Sequence, residues 1–126
     1  MTEIKVISSK KAPAAIGPYS QALAFGNMMF LSGQLPVDPE TGNIPEKVED
    51  QAAQSIANIK SILSENGMSI TNVVKTTVFL SDINDFAAVN KVYGEHFQEP
   101  YPARSCVQVA AIPKGCKVEI ECIAIK

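Results

Sequence analysis

The segment VVKTTVFLSDINDFAAVNKVYGEHF, residues 73–97, changes its hydrophobic period halfway along. Its first eight residues are β-branched, apolar or aromatic apart from Lys75, a composition that suits a strand. After Asp82, a residue fitted to cap a helix, Phe86, Val89, Tyr93 and Phe97 recur at steps of three and four. A strand followed directly by an amphipathic helix requires a layered fold, because each element has one apolar face to bury.

The flanks extend the pattern. Residues 3–8 read as a first strand, and KAPAAIGPYS after them cannot be helical, since Pro13 and Pro18 each remove a donor and restrict the preceding residue. Residues 21–25 and 28–33 form a hairpin turning at Gly26-Asn27, and Pro36, Pro39 and Gly42 mark a loop. In residues 46–65, Val48, Ala52, Ile56, Ile59 and Leu63 make a helical stripe that Gly67 ends. Residues 104–109 and 117–125 are two further strands, joined through Pro113-Lys114-Gly115. The expected class is α+β: a mostly antiparallel sheet with two helices on one face, in a single domain over residues 1–126.

Composition narrows the function classes. Thirteen acidic and eleven basic residues give a net charge of −2, which provides no basic footprint for a nucleic acid. The apolar runs are strand-sized, well below the roughly 20 residues of a membrane span. The N-terminus shows no basic leader and apolar core of a secretory signal, so a cytoplasmic location is expected and Cys106, Cys116 and Cys122 are read as free thiols. The lone His96 falls within the second helix and reads as a surface residue; no His/Cys cluster has metal-ligand spacing, and no phosphate- or dinucleotide-binding glycine motif occurs. Neither metal nor cofactor is expected.

What remains is a polar set in strands and turns: Tyr19, Ser32, Asn90, Arg104, Cys106, Glu119 and Glu121. Arg104 opens the strand RSCVQV after Pro100-Tyr101-Pro102-Ala103, and an arginine beside an apolar run needs an anionic partner if it is buried. Its fork matches a ligand carboxylate; an internal ion pair to Glu119 or Glu121 would satisfy it equally well. In the last strand, Val118, Ile120, Cys122 and Ala124 point one way and Glu119, Glu121, Ile123 and Ile125 the other. If residues 104–109 pair antiparallel with 117–121, a register opposing Cys106 to Glu119 and Arg104 to Glu121 makes Arg104 and Glu119 diagonal neighbours. Cys106 lacks a visible base and reads as a small core residue whose backbone matters more than its sulfur.

Four segments in order, APAAIGPYSQA (12–22), FLSGQLPVDPETG (30–42), VVKTTVFLSDINDFAAVNKVY (73–93) and PARSCVQVAAIPKGCKVEIECIA (102–124), closely resemble the RidA/YjgF family of reactive intermediate deaminases. The resemblance covers nearly the whole chain. It implies a chorismate-mutase-like fold assembled as a homotrimer with a central barrel-like core and clefts between subunits. It implies hydrolysis of 2-imino acids to 2-keto acids and ammonia. By motif, Arg104 matches the arginine that binds the substrate carboxylate, and Glu119 the glutamate that activates water. Tyr19, Ser32, Gly33, Asn90 and Cys106 match cleft positions, Gly33 as the residue that allows close approach. Ala111 and Ile112 replace an Arg-Leu pair common among relatives. Three rival readings remain at this point: a keto-acid-binding regulator without turnover, an RNA-directed activity attached to some members of the family, and a chaperone-like role through exposed apolar surface.

Overall fold

A computed structural model of the chain describes residues 3–126. Eight principal elements follow in order: β1 (Ile4–Ile7), β2 (Ala22–Phe25), β3 (Met28–Gln34), α1 (Val48–Ser64), β4 (Val73–Leu80), α2 (Phe86–His96), β5 (Ala103–Gln108) and β6 (Val118–Ile125). The strands form one six-stranded sheet in the order β1-β2-β3-β6-β4-β5. All neighbours are antiparallel except β4 and β5, which run parallel because α2 carries the chain back between them. The α+β expectation holds, with both helices on one face of a mostly antiparallel sheet.

The predicted stripes form the core. Val48, Ala52, Ile56, Ile59 and Leu63 of α1 are all buried, against Met29, Leu80 and Ile120 of the sheet. Gly67 takes a φ of +67°, a region that costs other residues energy, and Met68 N–H bonds back to the Leu63 carbonyl at 3.0 Å to close α1. Asp82 caps, but over a short turn that precedes the helix. Its Oδ1 accepts from Asn84 N–H at 2.9 Å over the 3-10 turn Ile83–Asp85, and α2 proper begins at Phe86. Val89, Tyr93 and Phe97 are buried, whereas Phe86 stays 39% exposed at the edge of the core.

The expected antiparallel pairing of the last two strands is overturned. β4 lies between β5 and β6, pairing Thr76 with Arg104 on one side and with Cys122 on the other. A parallel crossover of the β4-α2-β5 kind is indistinguishable in local pattern from a hairpin partner, so periodicity cannot reveal this insertion. The alternation of β6 is as expected: Val118, Ile120, Cys122 and Ala124 are buried beneath the helices.

Buried side-chain amides hold the loops at one end of the sheet. Asn58 Nδ2 donates to the carbonyls of Leu35 and Val37, each at 3.0 Å. Gln51 accepts from Lys117 N–H at 2.8 Å and donates to the Pro45 carbonyl at 2.7 Å. Gln21 accepts from Ser9 N–H at 2.6 Å and donates to the Pro13 carbonyl at 2.7 Å, folding the Pro/Gly-rich segment onto β2. Removing such a donor strands buried carbonyls, which costs more than the bond contributes. Asn58→Ala is expected to lower stability by about 2–3 kcal/mol, read as a reduced urea midpoint with an unchanged slope.

Candidate active site

Two clusters of the expected residues form, and they lie apart. The first gathers around Glu119 at the start of β6. Between Leu31↔Cys122 and Gln34↔Ile120 the β3–β6 ladder slips, so Ser32 and Gly33 together face Glu121, a β-bulge. The bulge turns Gly33 under the Glu119 side chain: a Cβ on Gly33 would lie 2.8 Å from Glu119 Cδ and closer still to Oε2. Only glycine leaves room for the carboxylate here. Ser32 Oγ donates to the Ser20 carbonyl at 2.6 Å, and Ser32 N–H bonds to the Gln21 carbonyl, which fixes the bulge against the incoming loop. The exposed Tyr19 ring, Ser32, Gly33, Lys114 and Glu119 line a cleft of about 740 Å³. Lys114, at φ +61° in the left-handed region, was not singled out by sequence.

Burial pushes the Glu119 carboxyl above the usual carboxylate range, and the neighbouring Glu121 charge pushes it further the same way. Half-buried and over a glycine, it is an acid poised to take up and return a proton.

The second cluster forms around Arg104. Its Nη1 donates to Asn90 Oδ1 at 2.8 Å, and its Cζ lies 4.7 Å from the Tyr93 ring centroid and 5.6 Å from that of Phe86. The sequence-based alternative of an internal pair with Glu119 or Glu121 is overturned, because Arg104 shares a sheet face with Thr76, Cys122 and α2, whereas the two glutamates point from the other face. The Asn90 side-chain oxygen is engaged by the arginine. In sequence Phe86 and Tyr93 have the spacing of core positions; their steps from Asn90 place all three on one helix face, which is the signal the sequence offers.

Cys106 lies two residues along β5 on the same side as Arg104. Burial raises its thiol pKa, with Arg104 opposing, so the sulfur is a poor nucleophile. Its backbone is better placed. Val109 N–H bonds to the Leu80 carbonyl at 2.9 Å, and Cys106 is level with Val78. By alternation the odd-numbered residues of β5 therefore bond to β4, and the main-chain groups of Arg104 and Cys106 turn toward the free sheet edge.

Within one chain the clusters cannot meet on a small molecule. Arg104 is level with Thr76 of β4 and Glu119 with Phe79, three residues on, so their offset along the sheet is roughly 10 Å at strand rise. They also occupy opposite faces. His96 belongs to neither cluster: its Nδ1 meets Lys60 Nζ at 2.8 Å, and burial, then that lysine, lower its pKa. Cys116 and Cys122 are buried free thiols. Among the described residues, no group of three or more His, Cys, Asp or Glu side chains is arranged to hold a metal. No helix among the described residues is long and apolar enough to cross a membrane.

Comparison with known proteins adds four findings. Residues 9–126 match the family described as Endoribonuclease L-PSP. The 2-iminobutanoate/2-iminopropanoate deaminase of Escherichia coli strain K12 is 51% identical over 125 residues, covering 97% of this chain and 98% of that protein. Among solved structures, the YjgF gene product of E. coli superposes with a TM-score of 0.92 at 50% identity, over 97% of this chain and 98% of that one. E. coli TdcF with bound serine superposes with a TM-score of 0.92 at 52% identity, over the same shares.

The electrostatics predict a titration. Glu119 is expected to ionise above the ordinary carboxylate range, and Glu121→Gln, by removing a like charge, to bring its pKa down toward that range. Carboxyl-selective NMR across pH checks both; an unmoved Glu119 pKa in the variant removes Glu121 from the account.

Proposed function

This chain belongs to the Endoribonuclease L-PSP family, which the RidA and YjgF proteins share, and on that premise we propose that it is a deaminase hydrolysing 2-imino acids in a site completed by a second copy. The substrates are 2-iminopropanoate and 2-iminobutanoate, and the products are the corresponding 2-keto acids and ammonia. One observation carries the reading. A guanidinium held by neutral groups and a carboxyl of raised pKa are both half-exposed, yet sit on opposite sheet faces of the same chain. A cation so placed suits a ligand carboxylate, and the TdcF relative holds an amino acid, serine.

The open sheet face supports assembly. Val6, Leu23, Phe30 and Ile123 lie side by side across β1, β2, β3 and β6, with Val6 65% and Phe30 44% exposed. A continuous apolar row of that kind marks a contact surface. In the proposed homotrimer these faces line a central barrel-like core, and the Glu119 cleft of one copy meets the Arg104 edge of its neighbour. The free thiols suit a reducing compartment, which we take to be the cytoplasm.

The chemistry asks for placement more than power. Arg104 clamps the carboxylate, with Cys106 main-chain groups beside it, while Tyr19 and Ser32 bound the cleft. The Glu119 carboxylate takes a proton from water as the oxygen adds to the carbon of the protonated imine, forming the C–O bond of a neutral carbinolamine. That proton passes from Glu119 to nitrogen, the C–N bond breaks to release ammonia as the hydroxyl proton moves to Glu119, and ammonia carries this last proton away as ammonium, leaving the ketone and the restored carboxylate. No cofactor enters this balance. An RNA-cleaving reading is poorly served by a net charge of −2, and the one histidine faces Lys60, away from both clusters.

Turnover of freshly generated 2-iminopropanoate tests the reading. Arg104→Ala is expected to lower kcat/KM by about 10²–10³-fold. Glu119→Gln is expected to lower kcat by about 10²–10⁴-fold while pyruvate binding changes little. Wild-type protein that binds keto acids but does not accelerate imine decay would be a sensor, and the deaminase reading would fall. In Gly33→Ala the three atoms nearest the new Cβ all belong to the Glu119 side chain, which can move, so a loss of at least about tenfold in kcat with a nearly unchanged Tm is expected.

A further inference from the structure

Arg104 is not free to choose its orientation. Phe86, Asn90 and Tyr93 of α2 surround it, at steps that put them on one helix face. Tyr93 is itself immobilised: its hydroxyl lies 2.7 Å from Thr76 Oγ1, and its ring stacks on Phe97 with centroids 4.2 Å apart and planes at 21°. Thr76 is the β4 residue level with Arg104, so the same rung of the sheet fixes both the arginine backbone and the ring beneath its head. Asn90 occupies Nη1. The guanidinium is thereby positioned from below by an aromatic face and from one end by an amide oxygen.

We propose that Tyr93, assisted by Phe86, is a positioning residue for substrate binding: the two rings hold the Arg104 guanidinium so that its remaining edge receives the substrate carboxylate in a two-pronged pair. The inference rests on the deaminase reading above. A side chain with the rotational freedom of arginine loses much of it on clamping a ligand, and the rings remove that loss in advance. Cation–π attraction holds the head over each ring, and the rings keep water from one face of it. Tyr93 acts on substrate only through Arg104, so its loss is expected in KM rather than in the chemical step.

The test compares imine hydrolysis by wild type, Arg104→Ala, Tyr93→Leu, Tyr93→Phe, Phe86→Leu and Val92→Ala, with 2-oxobutanoate affinity measured by calorimetry. Tyr93→Leu is expected to raise KM and the keto-acid Kd about tenfold with kcat within about threefold of wild type. Tyr93→Phe keeps the ring and is expected to restore KM to within about threefold. Phe86→Leu is expected to give an intermediate rise, and it carries the test should Tyr93→Leu not fold. Val92→Ala cuts the buried face of α2 while leaving Phe86, Asn90 and Tyr93 in place, and reports what loosening that helix does by itself. The proposal is overturned if Arg104→Ala is inactive but Tyr93→Leu and Phe86→Leu keep the wild-type KM, or if Val92→Ala raises KM as much as they do. Full activity in Arg104→Ala overturns the deaminase reading and the positioning role together.

Discussion

The two-residue alternation of β4 is the constraint on which the molecule turns. Flanked by β5 on one side and β6 on the other, β4 transmits a single face assignment across three strands. Thr76 is level with Arg104 and Cys122, so the arginine joins the helix-covered face; Phe79 is level with Glu119, so the acid joins the open one. A slip of one residue in either ladder would put both charges on one face of one chain.

Separation keeps both groups usable. An arginine paired internally with a glutamate would resist exchanging that partner for a substrate, whereas one held by Asn90 and two rings keeps its charge uncompensated. The glutamate, on the face opposite Arg104, has its pKa raised by burial and by Glu121. Had Arg104 been its neighbour, the shift would run the other way and weaken it as a base. The bulge at Ser32-Gly33 complements this by opening space under the carboxyl, where any side chain larger than hydrogen would displace it.

Much of this was legible in the residues. The stripes Val48–Leu63 and Val89–Phe97, the Gly67 stop and the alternation of β6 follow from local periodicity, and the structure reproduces them. The placement of β4 between β5 and β6 was not legible, because strand order depends on contacts distant in sequence. The expected diagonal of Arg104 and Glu119 fell with it. Seven expected site residues emerge as two groups: Tyr19, Ser32, Gly33 and Glu119 around a cleft, and Asn90, Arg104 and Cys106 along an edge. Tyr93 hid for a different reason. A ring that supports an arginine has the same spacing and burial as one that merely fills a core, and the contact to Arg104 is visible only in three dimensions.

The most direct measurement is complementation between two disabled chains. Arg104→Ala and Glu119→Gln proteins are unfolded, mixed in equal amounts and refolded, and imine hydrolysis is compared with each refolded alone. If every site takes its cation from one copy and its acid from a neighbour, random assembly rebuilds about a quarter of the sites, and activity returns from two inactive parents. A mixed assembly no more active than either parent would mean that the two groups do not meet across a subunit boundary, and the shared-site account would be wrong.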